Sequence, residues 1–176
     1  DGLYPNFRER LGKFAEIQSG TRFIDTYDEV PVLMDSHIAV NSPVLTKPST
    51  VRGPHIDDPL KLYAGLYYLR HPQDNSEGGE LVLYRLRDSK RPVLYGQYYQ
   101  SKLVEEVARI PYQSNTFVFF INSLASIHGV TPRAVTDKPR QFLNLAAELQ
   151  QPLFDTKPYQ MGPVRRRLQQ LNHRLN

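Results

Sequence analysis

Apolar and polar residues alternate in a way that divides the chain into a helical start, a β-rich centre and a helical tail. At the start, apolar residues recur at helical spacing at Leu3, Phe7, Leu11 and Phe14, which predicts an amphipathic helix from Leu3 to Ile17. In the centre, runs rich in Val, Ile, Leu, Tyr and Phe alternate with Pro, Gly, Asn and Asp, the pattern of short strands separated by turns. The predicted strands are Asp35–Asn41, Lys61–Leu69, Glu80–Leu86, Val93–Tyr99, Thr116–Ile121, Ser126–Val130 and Gln141–Leu149.

This pattern predicts a mainly β fold with flanking helices. Many short strands and few interior helices favour a sandwich, jelly roll or barrel over a parallel α/β sheet. We expect Asp25–Val32 to be a connection and Lys102–Ile110 to be a helical turn or an irregular crossing. The 176 residues suit one domain. Its expected parts are an N-terminal helical region at 1–30, a β core at 31–150 and a basic helical tail at 151–176.

The tail from Pro163 to Asn176 combines an apolar helical face with four arginines. The face consists of Val164, Leu168, Leu171 and Leu175, and the arginines are Arg165, Arg166, Arg167 and Arg174. We expect this helix to dock on the core with its arginines in water; a homodimer contact or an anionic surface is the alternative. Because these arginines account for the net charge of +4, the high pI does not indicate a nucleic-acid partner.

The composition is that of an ordinary globular protein, with 40% hydrophobic and 23% charged residues. No apolar run is long enough to span a bilayer. No secretory signal is visible, although the chain opens at Asp1 rather than Met. The chain contains no cysteine, which excludes disulfides and fits a reducing compartment, so we expect a cytoplasmic protein.

The strongest chemical signal is His55-Ile56-Asp57, followed far downstream by His128. Residues i and i+2 of an extended segment point to the same side, so His55 and Asp57 can reach one metal ion together. Two imidazoles and one carboxylate can hold one face of the ion and leave the other open, which is the facial triad of non-heme Fe(II) oxygenases. None of the other histidines begins a second His-x-Asp, and we interpret them as structural or surface residues: His37, His71 and His173.

Further motifs follow in the order of a known family. Pro54-His-Ile-Asp57 resembles the first ligand motif of the 2-oxoglutarate- and Fe(II)-dependent oxygenase superfamily, in its prolyl-hydroxylase-like branch. The other similar motifs are Gly65-Leu-Tyr-Tyr-Leu69, Gly78-Gly-Glu-Leu81, Phe117-Val-Phe-Phe120 with His128-Gly-Val130, and Pro139-Arg-Gln-Phe-Leu-Asn144. The likeness spans roughly His55 to Leu149, most of the chain.

The resemblance implies a double-stranded β-helix, the jelly roll of that family, over residues 31–150. It implies Fe(II) held by His55, Asp57 and His128. It also implies 2-oxoglutarate as a co-substrate that chelates the metal and reaches Arg140 with its C5 carboxylate. Arginine suits that role because its guanidinium is always charged and its planar fork matches a carboxylate. O2 is the second co-substrate, and ascorbate is the expected reductant.

The anchor of the co-substrate has competitors in the sequence. Lys138 competes with Arg140, since some relatives use Lys after the distal His, and Arg133 lies nearer to His128 in the connecting loop. We favour Arg140 because an apolar, strand-like run follows it. Asn144 shares a strand face with Arg140 and is expected to add a hydrogen bond to the same carboxylate.

Two further positions concern the surroundings of the co-substrate. Tyr68 is the candidate for a phenol contact and Tyr67 is the alternative, because neighbours on a strand point in opposite directions. Relatives often carry a tyrosine on the strand before His-x-Asp, where this chain has Asn41. The resemblance is therefore incomplete at that place.

The resemblance implies a dioxygenase that hydroxylates a C–H bond and releases succinate and CO2. The expected substrate is a small molecule, a sugar or an amino-acid unit. The alternatives are a nucleic-acid- or protein-modifying oxygenase of the same superfamily and a non-enzymatic metal-binding jelly roll. A nucleic-acid demethylase needs basic and aromatic residues around the metal. Near the motif, however, basic and aromatic residues are mixed with acidic ones. The basic and aromatic residues are Arg52, Lys61, Tyr63 and Arg70, and the acidic ones are Asp57, Asp58, Asp74 and Glu77.

Overall fold

The chain folds into two β-sheets with a narrow interior between them. The computed structural model describes residues 7–88 and 94–160, together with Gly162 and Val164. The strands are β1 Ser19–Thr21, β2 Val32–Asn41, β3 Lys61–Tyr68, β4 Leu81–Leu86, β5 Leu94–Tyr95, β6 Tyr98–Tyr99, β7 Val104–Ile110, β8 Phe117–Ile121, β9 His128–Val130 and β10 Arg140–Leu149. The helical elements are α1 Phe7–Leu11 and three 3-10 turns, Phe14–Glu16, Ser101–Leu103 and Lys157–Tyr159.

The strands wind alternately through the two sheets. The larger sheet has the order β1-β2-β10-β3-β8 and the smaller the order β7-β4-β9, with β5 and β6 forming a separate pair. The segment at His55 extends the smaller sheet, because His55 bridges both His128 and Tyr98. From β2 onward the chain therefore passes from the larger sheet to the smaller one and back three times, and the strand pairs of these two sheets are antiparallel except for β1 with β2, which is parallel. This winding is the predicted jelly roll, or double-stranded β-helix.

Side chains along each strand of the larger sheet point alternately inward and outward, which decides which of them reach the interior. Arg140, Phe142 and Asn144 of β10 face inward with Ala64 and Leu66 of β3, as the two-residue period of a strand requires. The facing residues of the smaller sheet include Leu81, His128 and Val130. One apolar cluster of buried residues lies beside this interior and consists of Ile56, Leu94, Tyr99, Val104 and Ile127.

The predicted helix from Leu3 to Ile17 is interrupted. Helix α1 ends at Leu11 because Gly12 adopts a φ of 78°, a left-handed conformation that glycine reaches without steric cost. The Gly12 N–H still donates to the carbonyl of Arg8, at 2.9 Å, and then the chain turns away. The boundaries expected near residues 30 and 150, between the N-terminal region, the β core and the tail, stay a prediction.

Two predictions in the middle of the chain were wrong in detail. Lys102–Ile110, expected as a helical turn or an irregular crossing, contains strand β7, which pairs along β4. The single strand expected at Val93–Tyr99 is a tight hairpin of β5 and β6, turning at Gly96 with a φ of 64°.

The expected C-terminal helix lies outside the described residues, apart from Val164. Its expected docking on the core, and the alternative homodimer contact, therefore stay predictions. Within the described part of the chain, no helix combines the length and apolar character that crossing a membrane requires.

Candidate metal centre and its pocket

Three buried side chains converge between the two sheets. His55 and His128 lie opposite each other, and their backbones exchange hydrogen bonds of 2.8 and 2.9 Å. Asp57 follows two residues after His55, and its Oδ1 lies 3.7 Å from His55 Nε2 and 4.0 Å from His128 Nε2. The three possible ligand atoms all lie within 4.8 Å of one another. The structure thus brings together the three residues that the sequence singled out.

Backbone carbonyls fix the orientation of both imidazoles. The Nδ1 of His55 lies 2.8 Å from the carbonyl oxygen of Gly53, and the Nδ1 of His128 lies 2.9 Å from that of Ser126. A carbonyl oxygen only accepts hydrogen bonds, so each Nδ1 carries a proton, and in the neutral ring each Nε2 keeps its lone pair. Such second partners are the usual means of orienting a metal-binding histidine. Sequence reasoning did not find these two carbonyls.

The protonation states suit a metal site. Burial lowers the pKa of His128 to about 4, and the neighbouring His55 acts in the same direction. Burial by itself raises the pKa of Asp57, but the contact with His55 and the charge of Lys61 hold that pKa well below its usual range. At neutral pH the site therefore presents a neutral His128 beside a carboxylate.

Close packing holds the two histidine segments together. The rings of His55 and His128 lie with their centroids 4.2 Å apart, and the Phe120 ring lies 4.5 Å from that of His128. A Cβ on Gly129 would come within 2.9 Å of the backbone carbon of Gly53. Glycine after His128 therefore permits the approach that brings the ligand atoms together.

The donor set fits one divalent ion. Ligand atoms that are each about 2.1 Å from one ion and about 90° apart on one face of it lie about 3.0 Å from each other, so the two distances to Asp57 Oδ1, 3.7 and 4.0 Å, would shorten by about 1 Å or less on metal binding. Two imidazole nitrogens and one carboxylate oxygen are the ligands of a facial triad. Among the described residues, this is the cluster of histidines and acids able to hold a metal.

The triad opens into a cavity of about 180 Å³ between the sheets. Its described lining comprises the triad, the polar side chains Asn41, Arg52, Lys61, Arg140 and Asn144, and the apolar side chains Val51, Ala64, Leu66, Leu81, Phe120, Val130 and Phe142. The interior is thus apolar with a few convergent polar groups, as small-molecule sites commonly are.

Arg140 reaches this cavity with an unused hydrogen-bond donor. It opens β10, is only 3% exposed, and donates from Nε to the carbonyl of Gly79 at 3.1 Å. Its Nη2 is buried without a geometrically complete hydrogen bond, as is the hydroxyl of Tyr68, and the two side chains lie close enough for each to affect the pKa of the other. The guanidinium carbon lies 5.1 Å from the Tyr68 ring centroid. Because an unpaired buried donor costs about 1–3 kcal/mol, the pair fits an acceptor such as a ligand carboxylate.

The turn at Gly78 and Gly79 positions this arginine. Both glycines have a positive φ, of 83° and 81°, which other residues rarely adopt. A Cβ on Gly78 would lie 2.0 Å from the carbonyl oxygen of Pro132, and one on Gly79 would lie 3.7 Å from Arg140 Nε. Glycine is therefore required at position 78 by the close backbone of Pro132 and at position 79 by its positive φ.

The competing cations are engaged elsewhere. Arg133 is buried, and its guanidinium pairs with the carboxylate of Asp74. Lys138 Nζ pairs with Asp137 Oδ2 at 2.9 Å. Of Arg133, Lys138 and Arg140, it is Arg140 that lines the cavity together with the triad.

The two tyrosines face opposite ways, as their adjacency requires. Tyr68 is fully buried next to Arg140, and burial raises its pKa while the charge of Arg140 opposes that rise. Tyr67 points outward and donates its hydroxyl hydrogen to Asn115 Oδ1 at 2.8 Å. Asn144 and Asn41 both line the cavity, and Asn41 Oδ1 is buried without a hydrogen-bond partner.

Two of the other histidines lie away from the centre. His37 is exposed and contacts Asp35, with Nδ1 and Oδ2 3.2 Å apart. His71 is exposed, and its Nδ1 accepts from the N–H of Gln73. His173 lies outside the described residues.

Comparison with known proteins points to one family. The family model described as the 2OG-Fe(II) oxygenase superfamily matches residues 45–145. Among solved structures, a prolyl-4-hydroxylase from Pseudomonas putida matches with a TM-score of 0.36 and 17% sequence identity, over 66% of this chain and 50% of that one. The matched region is thus half the length of that enzyme. No curated protein matched the chain.

Proposed function

Because the chain belongs to the 2OG-Fe(II) oxygenase superfamily, whose members use Fe(II), 2-oxoglutarate and O2, we propose that His55, Asp57 and His128 hold the ferrous ion. The observation that carries the proposal is the convergence of three buried donors with both Nε2 atoms free. Histidine and carboxylate ligands on one face leave coordination positions for the co-substrates.

Arg140 and Tyr68 bind the distal carboxylate of 2-oxoglutarate in this proposal. Supporting it are the unpaired Arg140 Nη2 and Tyr68 hydroxyl, which lie buried in the same part of the interior. A carboxylate would satisfy both donors and neutralise the guanidinium. Asn144 shares the inner face of β10 with Arg140 and adds an amide donor toward the same ligand.

The reaction proposed is hydroxylation of a C–H bond, with release of succinate and CO2. When bound, the iron and 2-oxoglutarate would supply the activation of O2, which is the oxidant and delivers one oxygen atom to the substrate and one to succinate. The protein orients the ligands through Gly53 and Ser126, and the apolar walls of the cavity exclude water. No side chain need act as a separate acid or base. Asp57 keeps its carboxylate, in contrast to halogenases, which carry a small residue there.

The substrate proposed is a small molecule or a single sugar or amino-acid unit. A cytoplasmic location and ascorbate as the reductant stay predictions.

Succinate formation tests this function. Protein supplied with Fe(II), ascorbate, O2 and 2-oxoglutarate should release succinate slowly even without its primary substrate. We expect His55→Ala and Asp57→Ala to reduce that release to background, because each removes a metal ligand. His37→Ala is the matched control, since His37 is an exposed histidine outside the site, and should retain activity. Equal activity in all three variants would exclude the proposed ligands.

A further inference from the structure

Two cations lie beside the carboxylate of the triad. Arg52 Nη1 is 3.4 Å from Asp57 Oδ1, and Lys61 Nζ is 3.8 Å from Asp57 Oδ2. Both side chains line the same cavity as the triad. Arg52 and Lys61 therefore form a cationic mouth next to the candidate metal ligand Asp57.

A β-bulge turns Lys61 toward this cavity. Along the pairing of β3 with β10, Tyr63 lies opposite Ala147, but Lys61 lies opposite Glu148 because the register shifts there. In an unbroken strand, Lys61 would share the outward face of Tyr63. Bulges that redirect one side chain are common next to functional sites. The lysine is thus aimed inward by the backbone itself.

Arg52 is held at the opening by Tyr98. Its Nε donates to the Tyr98 hydroxyl at 3.3 Å, and its guanidinium carbon lies 5.6 Å from the ring centroid. The side chain remains 39% exposed. The guanidinium is therefore positioned but still open to a ligand that enters the cavity.

The acidic neighbours in the sequence do not neutralise the cationic mouth. Asp58 caps the backbone N–H of Leu60, and Asp74 is buried against Arg133. Among the described residues that line the cavity, Asp57 is the one carboxylate. The acidic and basic residues that are neighbours in the sequence thus lie apart in the structure, and positive charge is in excess at the opening of the cavity.

The charge balance changes once the proposed ligands are bound. The two charges of Fe(II) and that of Arg140 then balance Asp57 and the two carboxylates of 2-oxoglutarate. Because the metal then neutralises Asp57, Arg52 and Lys61 lose their counter-charge. The two cations lie in a partly desolvated site, where they repel each other strongly. An anionic group entering the opening would restore the balance and gain charge-assisted hydrogen bonds.

Resting on the function proposed above, we infer that the primary substrate carries an anionic oxygen group, a carboxylate or a phosphate, which Arg52 and Lys61 bind. These two residues select the substrate and orient its C–H bond toward the iron, and they do not take part in the oxidation. Neutral analogues of the same shape are excluded because they leave the two cations unpaired.

A matched pair of weakly coordinating probes tests the inference without turnover. Methanesulfonate carries anionic oxygens, and dimethyl sulfone is its neutral counterpart of similar shape. The protein is loaded with Zn(II) in place of iron and with 2-oxoglutarate. Binding is measured by saturation transfer to the methyl protons of each probe. We expect methanesulfonate to bind and dimethyl sulfone not to bind.

The variants locate the binding. Lys61→Met and Arg52→Met should each weaken methanesulfonate binding by about tenfold, whereas Lys61→Arg should largely preserve it. Arg109→Met is the matched control, since Arg109 pairs with Glu106 on β7, outside the cavity, and should bind like the wild type. Competition by methyl phosphate and by acetate then distinguishes a phosphate from a carboxylate group on the substrate.

Failure of this inference is distinguishable from failure of the proposed function. If Zn(II) and 2-oxoglutarate bind but methanesulfonate does not, or binds equally to both Met variants and the wild type, the inference is overturned. If 2-oxoglutarate itself shows no saturation transfer in the zinc-loaded protein, the proposed function fails first, and the inference with it.

Discussion

At the scale of single residues, the site depends on which atoms are left without a partner. The Nδ1 atoms of His55 and His128 are used by backbone carbonyls, so their Nε2 atoms remain for a metal. Beside the cavity that Arg140 lines, Arg140 Nη2 and the Tyr68 hydroxyl are buried without a hydrogen-bond partner. Since buried polar groups are nearly always hydrogen-bonded, these unpaired donors indicate where a ligand belongs.

Arg140→Ala should weaken 2-oxoglutarate binding at least thirtyfold. Removing one partner of a buried, hydrogen-bonded charge pair costs about 2–5 kcal/mol, and each 1.4 kcal/mol is about a factor of ten. The dissociation constant can be measured by calorimetry with Zn(II)-loaded protein, and zinc affinity should change much less. Lys138→Ala is the control. If Lys138→Ala weakens binding and Arg140→Ala does not, the anchor has been assigned to the wrong residue.

The sequence predicted which side chains converge better than it predicted their surroundings. His55, Asp57 and Arg140 are marked by residue type and spacing, whereas the acceptors on Gly53 and Ser126 are backbone atoms that every residue possesses. The direction of Lys61 depends on a register shift in β3, which has no signature in residue types. The sequence therefore showed a cation near the motif but not the way it points.

At the scale of elements, the strands fold as predicted where one face is buried. Strand β10 pairs with both β2 and β3, and its predicted bounds differ from the observed ones by one residue. Strand β7 was missed because it pairs only with β4, at the edge of its sheet, and most of its residues are exposed. Its Val-Glu-Glu-Val-Ala-Arg-Ile sequence thus lacks the alternation that marks a half-buried strand.

The loop that leads to the Gly-Gly turn is held by a buried ion pair. Asp74 pairs with Arg133 and accepts hydrogen bonds from the backbone and hydroxyl of Ser76. Burial by itself raises the pKa of Asp74, but these hydrogen bonds and the charges of Arg133 and Arg70 lower it below its usual value. The carboxylate form therefore stabilises the folded state.

Asp74→Asn should lower the free energy of unfolding at pH 7 by about 3 kcal/mol, because it leaves Arg133 buried without its counter-charge. Because the pKa of Asp74 is lower in the folded state, its carboxylate stabilises the folded state fully only above the ordinary aspartate pKa of about 3.9. The contribution is lost as the pH falls through the lower folded-state value. Denaturant titrations at pH 7 and near pH 3 should thus show a smaller difference from wild type in acid.

The control for that experiment is Asp137→Asn. Asp137 carries an exposed carboxylate that pairs with Lys138, and exposed pairs contribute little to stability. Its unfolding curve should match the wild type at both pH values. A loss for Asp74→Asn that does not depend on pH would mean that its charge is not what stabilises the loop.

At the scale of the whole molecule, the jelly roll places the chemistry inside and an apolar surface outside. On the outer face of the larger sheet, β8 exposes Phe117, Phe119 and Ile121, and β2 exposes Ile38 and Val40. The sequence marked Thr116–Ile121 as strongly apolar, which in most proteins indicates a strand buried on both faces. In this sheet only the inner face of β8 meets the smaller sheet, and its outer side chains are about half exposed.

Replacing Phe117 and Phe119 together by serine should reduce the binding of a hydrophobic fluorescent dye without abolishing the fold. Both rings are about half exposed, at 53% and 52%, so their removal forfeits less buried apolar area than a core substitution does. Dye fluorescence and a thermal melt measure the two effects. Unchanged dye fluorescence would show that this face does not bind the dye in solution.

The central claim is that one ferrous ion lies between His55, Asp57 and His128. Crystals grown without oxygen in the presence of Fe(II), measured on both sides of the iron absorption edge, test it most directly. We predict one anomalous peak within about 2.3 Å of His55 Nε2, His128 Nε2 and a carboxylate oxygen of Asp57. An iron peak elsewhere, or none at these side chains with the protein folded, would contradict the account.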